Sequence, residues 1–134
     1  ATMLTLAGLG QTACVSVGGE PMVGSTFADL YPLFLADPDT RAIVCYCEPG
    51  GTAEEDLAAL VAATAGRKPV AAFVAGRFAD RMQGMRFGHA AVIVEGERGS
   101  TESKIRAFEA AGVAVAERIG DIAPMVRRAL GEGA

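Results

Sequence analysis

Short apolar runs that end at glycines alternate along the chain with longer amphipathic stretches, and this alternation constrains the fold more than any other feature. The short runs are nearly continuous in apolar residues, which is typical of strands covered on both faces. They predict five strands, at residues 12–17, 42–46, 70–74, 90–94 and 113–116. Because parallel strands need long crossovers between them, the pattern predicts an α/β domain with a mostly parallel sheet and helices on both faces.

The segment after the second predicted strand carries a clear helix start. Thr52 is a predicted N-cap, and Glu54, Glu55 and Asp56 place negative charge on the first turn of the helix that follows. Negative side chains at that end compensate the helix dipole. They also argue against this helix start as the main seat of a phosphate, since they would repel it.

Two further helices are predicted near the C-terminus. Ser100 or Thr101 can cap the first of them, and Gly112 can supply the left-handed residue that commonly follows a helix. Asp121 is predicted to cap the last helix, which carries apolar residues at helical spacing.

Two segments near the N-terminus have weaker signals. Residues 25–36 have helical spacing, but Pro32 lies inside the pattern and is expected to kink the helix or delay its start. Residues 1–10 resemble the tail of a helix that ends at Gly8. Since a doubly wound sheet is expected to begin with a strand and a loop before such a helix, we expect the chain to be a fragment of a longer protein.

Length and charge restrict the class of protein. A chain of 134 residues, 51% of them hydrophobic, suits a single globular domain. Its net charge of −4 gives no footprint for nucleic acid or acidic membranes. The longest apolar run, residues 69–75, is too short to cross a bilayer. We therefore expect no nucleic-acid or membrane partner and a cytoplasmic location.

The three cysteines agree with a reducing compartment. Their number is odd, and their spacing is not that of a small disulfide scaffold. Cys45 and Cys47 are predicted on one face of a strand, where they could approach Cys14 on a neighbouring strand. Thiols inside a strand usually serve as small apolar side chains, and no metal site is predicted.

The ligand site is expected at the carboxyl ends of the strands, where backbone N–H groups and helix starts converge. Two of the loops there contain paired glycines, Gly18-Gly19 and Gly50-Gly51, which can leave N–H groups free for an anion. Glycine pairs also occur in such turns for conformational reasons alone. The rule selects five loops, at residues 18–26, 48–52, 76–89, 96–101 and 117–121.

His89, the single histidine of the chain, follows Gly88 where the long loop from residue 75 to residue 88 meets the fourth predicted strand. One interpretation is an imidazole held by a backbone carbonyl. The other is nucleophilic or acid/base chemistry, because a partly neutral imidazole can accept a phosphoryl group. A carboxylate on the second ring nitrogen would fix its tautomer, and Glu48, at the end of the second predicted strand, is the best placed candidate. Glu48 can equally be a solvated loop carboxylate.

Seven segments taken in order resemble the C-terminal domain of the succinyl-CoA synthetase α subunit. The most specific are the Gly-His-Ala segment at residues 88–90 and the Glu-Pro-Gly-Gly-Thr-Ala-Glu-Glu turn at residues 48–55. The same domain type occurs in ATP citrate lyase, malate–CoA ligase and other nucleoside-diphosphate-forming acyl-CoA ligases. The seven segments are residues 10–21, 24–27, 37–38, 47–55, 75–77, 86–90 and 99–104.

The resemblance implies a flavodoxin-like domain of a tricarboxylic acid cycle ligase, spanning residues 1–134, in which His89 is phosphorylated during turnover. An acyl phosphate forms from acyl-CoA and phosphate, His89 takes the phosphoryl group, and its loop moves to the nucleotide site of a partner. Glu48 occupies the position of the glutamate that bonds the histidine. Gly18, Gly19, Gly50, Gly51 and Gly88 are the expected phosphate or substrate loop residues.

The resemblance also implies groups held outside these residues. Coenzyme A would be bound by an N-terminal domain that this sequence lacks. Mg²⁺ and ATP or GTP would be held by a β subunit of the ATP-grasp type. A phosphate-binding serine-basic-serine-glycine loop would be expected just before Ala1.

Three departures from the family pattern leave the acid substrate open. They are Glu20 in place of aspartate, a Cys-Glu-Pro-Gly-Gly turn at residues 47–51 in place of Gly-Glu-Ile-Gly-Gly, and Ala91 in place of glycine. A non-catalytic binding or assembly module of the same fold, with no phosphorylated histidine, is the alternative.

Overall fold

The computed structural model describes residues 1–18, 24–77 and 98–132. Within these ranges the strands are β1 (Ile43–Cys47), β2 (Val70–Val74) and β3 (Ala114–Ala116). The helices are α1 (Thr2–Leu6), α2 (Phe27–Ala36), α3 (Ala53–Ala63), α4 (Thr101–Ala110) and α5 (Ile122–Ala129), and a short 3₁₀ turn spans Ile119–Asp121.

The three strands form a parallel sheet in the order β1-β2-β3. Ala72 of β2 lies opposite Cys45 on one side and Val115 on the other. The sequence predictions for these three strands are confirmed to within one residue at each end. The fourth predicted strand, residues 90–94, lies outside the described residues. The predicted α/β class, with a parallel sheet and helices on both faces, is confirmed.

The predicted strand at residues 12–17 is wrong. These residues form neither a strand nor a helix, and Val15 is 51% exposed. The hydroxyl of Thr12 lies 2.7 Å from the hydroxyl of Thr40, which precedes β1. An extended segment becomes a strand only where a neighbour completes its backbone hydrogen bonds. No strand in the described part of the chain does so here.

Each face of the sheet carries its own apolar core. Alternate side chains point to opposite faces, which divides the strands between the two cores. Ile43, Cys45 and Cys47 face α2, α3 and α4, where they pack with side chains such as Leu57 and Phe108. The opposite face packs against α1 and α5 and includes Ala71, Ala116, Ile122 and Val126.

The helix starts agree with the sequence in part. The Ser100 hydroxyl accepts a 3.0 Å hydrogen bond from the Ser103 N–H, as predicted for a cap of α4. Gly112 has the expected positive φ, 76°. Thr52 occupies the N-cap position of α3, but its side chain makes no capping hydrogen bond.

Asp121 occupies the predicted N-cap position of α5, but its side chain makes no capping hydrogen bond to that helix. Its carboxylate accepts a 3.0 Å hydrogen bond from the Arg118 N–H and so caps the 3₁₀ turn that precedes α5. Helix α2 forms within the predicted residues 25–36, and of the two effects expected of Pro32 the delayed start is wrong. The helix begins directly after Thr26, which forms a reciprocal capping box with Asp29, and it continues through Pro32. The two cap bonds satisfy backbone donors at the start of the helix.

The N-terminal helix agrees with its prediction. Helix α1 ends at Leu6, and Gly8 has a φ of 76°, which suits glycine. Arg127 of α5 donates a hydrogen bond to the Ala7 carbonyl, and Leu9 is buried against the same helix. Within the described ranges, no helix has the length and apolar character that crossing a membrane requires.

Candidate functional site

The carboxyl ends of β1 and β2 meet at one edge of the sheet. The Ala75 N–H donates a 2.9 Å hydrogen bond to the Cys47 carbonyl and so continues the ladder one step beyond β2. Glu48 follows directly on β1, and Gly76 and Arg77 follow on β2. This is the edge at which parallel α/β sheets bind their ligands.

The turn at residues 48–52 depends on its paired glycines. Gly50 has a φ of 100° and Gly51 a φ of 62°, so both lie in the left-handed region that disfavours other residues. The Gly50 N–H donates a 2.8 Å hydrogen bond to the Gly99 carbonyl. This N–H is therefore occupied within the protein, and the conformational explanation of the glycine pair accounts for Gly50.

Pro49 and Gly76 hold the turn against the end of β2. A Cβ atom added at Gly76, which has a φ of 76°, would lie 2.9 Å from Cγ of Pro49. Such a distance is shorter than a real contact allows, so only glycine permits this approach. Pro49 is thus packed directly on the backbone of the loop that follows β2.

Glu48 lies exposed at the tip of this edge. Its carboxylate makes no hydrogen bond or ion pair with the part of the chain that the structure describes. Its backbone is held on both sides, by Cys47 in the sheet and by Gly50 in the turn. The carboxylate is therefore placed, exposed, at the predicted edge.

Of the other predicted site residues, Gly50 and Gly51 lie in the same turn as Glu48. Gly18 is exposed. Gly19, Gly88 and His89 lie outside the described residues. The pairing of Glu48 with His89 therefore stays a prediction.

The acidic first turn of α3 is bound by the start of α4. Lys104 is fully buried, at 0% exposure, and its ammonium forms an ion pair with the Glu54 carboxylate. The same ammonium donates a 2.7 Å hydrogen bond to the Gly50 carbonyl. Burial raises the pKa of the Glu54 carboxyl above its ordinary value, and the Lys104 charge offsets part of that effect.

Glu55 joins the same two helix starts. Its Oε1 accepts hydrogen bonds from the Gly99 N–H at 2.8 Å and from the Ser103 hydroxyl at 2.6 Å. Burial alone would raise the pKa of this carboxyl, but the two donors outweigh it and hold the pKa below its ordinary value. Asp56 makes a 3.0 Å ion pair with Arg98, and the side chains of both residues are more than half exposed.

Sequence reasoning missed these contacts. It assigned the three carboxylates to dipole compensation, whereas each of them contacts the segment from Arg98 to Lys104. A usable signal was present in Lys104 itself. It lies at the fourth position of α4, where the positive end of the helix dipole disfavours a cation. A lysine there needs a negative partner, although the partner's position depends on the strand order.

The three cysteines do not form a metal-binding cluster with other described residues. All three are free thiols, with Cys45 and Cys47 buried in the core and Cys14 exposed. Burial raises the pKa of the Cys45 thiol to about 12 and raises that of Cys47 as well. Thiols held protonated by burial are poor nucleophiles and metal ligands. No group of three or more metal-binding side chains occurs among the described residues.

The carboxyl end of β3 lies at the same edge of the sheet. A cleft of about 360 Å³ separates the end of β3 from α5 and is lined by Ala116, Glu117, Asp121, Met125 and Arg128, among others. Arg77 reaches toward it and donates a 3.0 Å hydrogen bond to the Ala116 carbonyl. Glu117 and Asp121 belong to the expected ligand loop at residues 117–121, whereas Glu48 and the described glycines of the predicted site do not line this cleft.

The sheet order and the placement of Glu48 define a parallel α/β domain with its candidate site at the strands' carboxyl edge. The model of the CoA-ligase family matches residues 1–114, and the chain belongs to that family.

Two relatives show how far the similarity extends. The chain is 46% identical over 127 residues to succinate–CoA ligase [ADP-forming] subunit alpha 1 of Archaeoglobus fulgidus, covering 95% of this chain and 42% of the relative. It is 44% identical over 124 residues to an ADP-forming sulfoacetate-CoA ligase subunit of Bilophila wadsworthia, covering 92% of this chain and 42% of that subunit. The chain thus spans about two-fifths of the length of these relatives.

A solved structure shares the fold. ATP citrate lyase of Methanosaeta concilii, in complex with (3S)-citryl-CoA, superposes with a TM-score of 0.73 at 27% identity. The match covers 86% of this chain and 19% of that chain. The described fold is therefore one unit within a much longer chain in that enzyme.

Proposed function

We propose that residues 1–134 are the C-terminal domain of the α subunit of a nucleoside-diphosphate-forming acyl-CoA ligase, and that His89 carries its phosphoryl group. The observation that carries the proposal is the exposed Glu48 carboxylate at the carboxyl edge of β1. It lies, as His89 does, within the residues matched by the family model, 1–114. The relatives named as CoA-ligase subunits support the same activity.

The chemistry follows from the two side chains. One imidazole nitrogen of His89 attacks the phosphorus of an acyl phosphate, the bond from phosphorus to the acyl oxygen breaks, and the carboxylate leaves with the electron pair. The phosphoryl group then passes to a nucleoside diphosphate. Glu48 accepts a hydrogen bond from the other ring nitrogen, which fixes the tautomer and stabilises the positive charge that develops on the ring.

The remaining components belong to other parts of the enzyme. We assign coenzyme A to an N-terminal domain of the same subunit, and Mg²⁺ with ATP or GTP to a β subunit or domain of the ATP-grasp type. A small carboxylic acid and phosphate complete the reaction. Relatives named for succinate and for sulfoacetate are about equally similar to this chain, at 46% and 44% identity, so these two acids are the first to screen.

Mass spectrometry under alkaline conditions tests the proposal. The full α subunit with its β partner and ATP is expected to carry an acid-labile phosphate on His89 that is absent in His89→Asn. Glu48→Gln is expected to slow phosphorylation without abolishing it, because the amide keeps an acceptor oxygen but loses the charge. A wild-type protein that takes no phosphate would instead indicate a binding or assembly module.

A further inference from the structure

The most deeply buried charge among the described residues is the ammonium of Lys104. Burying an ammonium is unfavourable unless it is paired and hydrogen-bonded. Its place in the first turn of α4 adds an unfavourable interaction with the helix dipole. The stability of α4 itself therefore does not account for this lysine, and its partners on other segments do.

Those partners divide into a counter-charge and an anchor point. Glu54, at 7% exposure, supplies the negative charge that makes the burial of Lys104 tolerable. The Gly50 carbonyl, 2.7 Å from Nζ, lies in the turn that follows β1. A hydrogen bond from an ammonium to a carbonyl is stronger than a neutral one. The ion pair therefore delivers a strong donor to the turn backbone.

The turn is held by further contacts that converge on the same stretch of backbone. The Gly50 N–H is bound to the Gly99 carbonyl at 2.8 Å, and Pro49 packs on Gly76. Cys47 is fixed in the sheet. The backbone is thus held immediately before and two residues after Glu48, and rotation of its side chain is the main freedom left to it.

We propose that Lys104 is a positioning residue that holds the backbone of the turn carrying Glu48 through the Gly50 carbonyl. Lys104 is itself fully buried, so it acts without touching substrate. The inference rests on the proposed function for the role of Glu48, but the anchoring of the turn is a separate property that can be measured by itself.

The test compares Lys104→Met with Arg106→Met in the full α subunit bound to its β partner. Arg106 is a matched control because it lies on the same helix and pairs with Glu102, with both side chains more than 60% exposed. Amide hydrogen exchange at Gly50, whose N–H is bound to the Gly99 carbonyl, is expected to become about tenfold faster or more in Lys104→Met. It should stay unchanged in Arg106→Met. Unchanged exchange in Lys104→Met overturns the inference.

The second arm measures the single-turnover rate of His89 phosphorylation. Lys104→Met is expected to slow it between about 10-fold and 100-fold, since a small misplacement of a catalytic group has effects of this size. In a Glu48→Gln background the same change should cost less than about threefold, because the group it positions has already been lost. Equal slowing in both backgrounds indicates a general structural effect and overturns the inference. The KM for coenzyme A should not change.

Two more variants keep the test decisive. If Lys104→Met does not fold, Lys104→Met combined with Glu54→Gln removes both charges and is expected to show the same exchange and rate effects. Lys104→Arg keeps a charged donor and should restore part of the rate. A wild-type protein that takes no phosphate overturns the proposed function, whereas unchanged exchange in the lysine variant overturns the present inference.

Discussion

The contact between α3 and α4 has an inner and an outer side, and the two sides use similar residues differently. On the inner side, Lys104 and Glu54 are buried together, at 0% and 7% exposure. On the outer side, Arg98 and Asp56 are 3.0 Å apart with both side chains in solvent. Glu54 and Asp56 both belong to the first turn of α3, so their position in the sequence does not distinguish them.

The comparison shows that an ion pair's role depends on its surroundings more than on its charges. Arg98 and Asp56 stay in contact with water when they pair, so the outer ion pair contributes little to the free energy of unfolding. The inner pair has lost its water, so each charge depends on the other and on the Gly50 carbonyl. Only the inner pair ties the helix contact to the turn that holds Glu48.

Lys104→Ala is the change expected to separate the two sides most. It leaves the Glu54 carboxylate buried without its counter-charge, which typically costs about 3–5 kcal/mol. Urea unfolding of this chain measures the loss, with Arg106→Ala as the exposed control. A cost below about 1 kcal/mol would show that the inner pair is as weak as the outer one.

Gly76→Ala tests the contact that supports the turn from the side of β2. The added Cβ would meet Pro49 at 2.9 Å, and the φ of 76° is strained for alanine. We expect a loss of about 1–3 kcal/mol. Gly66→Ala is the matched control, because its φ is 63° but no atom lies within 4 Å of the new Cβ. Equal losses in the two variants would mean that the Pro49 contact adds nothing.

A segment's structure could be predicted from the sequence where it depends on residues close to it in the chain, and less well where it depends on distant ones. The strand at residues 43–47 was predictable because its continuous apolar run has a partner of equally clear pattern, residues 70–74, which pairs with it in the sheet. Residues 12–17 have a comparable pattern, yet a strand also needs a partner for its backbone, and a run of residue types does not supply one.

The candidate site shows the same division. The position of Glu48 at the end of β1 could be predicted from strand and turn signals alone. The anchoring of this turn by Lys104 could not be predicted. Lys104 and Gly50 are more than fifty residues apart in sequence, and the packing of α4 on α3 brings them together. The helix caps show the same division. Ser100 caps α4 as predicted, whereas the Asp121 carboxylate accepts its hydrogen bond from the Arg118 N–H.

Glu55 provides an intermediate case that pH can resolve. Its folded-state pKa is lowered, so the stability it contributes is present above the unfolded pKa, about 4.3, and is lost as pH falls through the folded value. The stability difference between wild type and Glu55→Gln is expected to be about 1 kcal/mol at neutral pH, reduced by partial exposure, and to shrink below pH 4. Urea unfolding between pH 3 and pH 7 measures it. A difference that grows on acidification would contradict the assignment.

Arg98→Gln should have the smallest effect and so tests the outer side directly. The ion pair with Asp56 is exposed on both partners, at 57% and 60%, so water competes for each charge. We expect a change of no more than about 0.5 kcal/mol that disappears as salt is raised toward 1 M, where screening acts over about 3 Å. Thermal unfolding at low and high salt measures it, with Asp56→Asn as the reciprocal change. A loss that persists in high salt would mean that this side is also shielded from water, and the contrast between the two sides would then no longer hold.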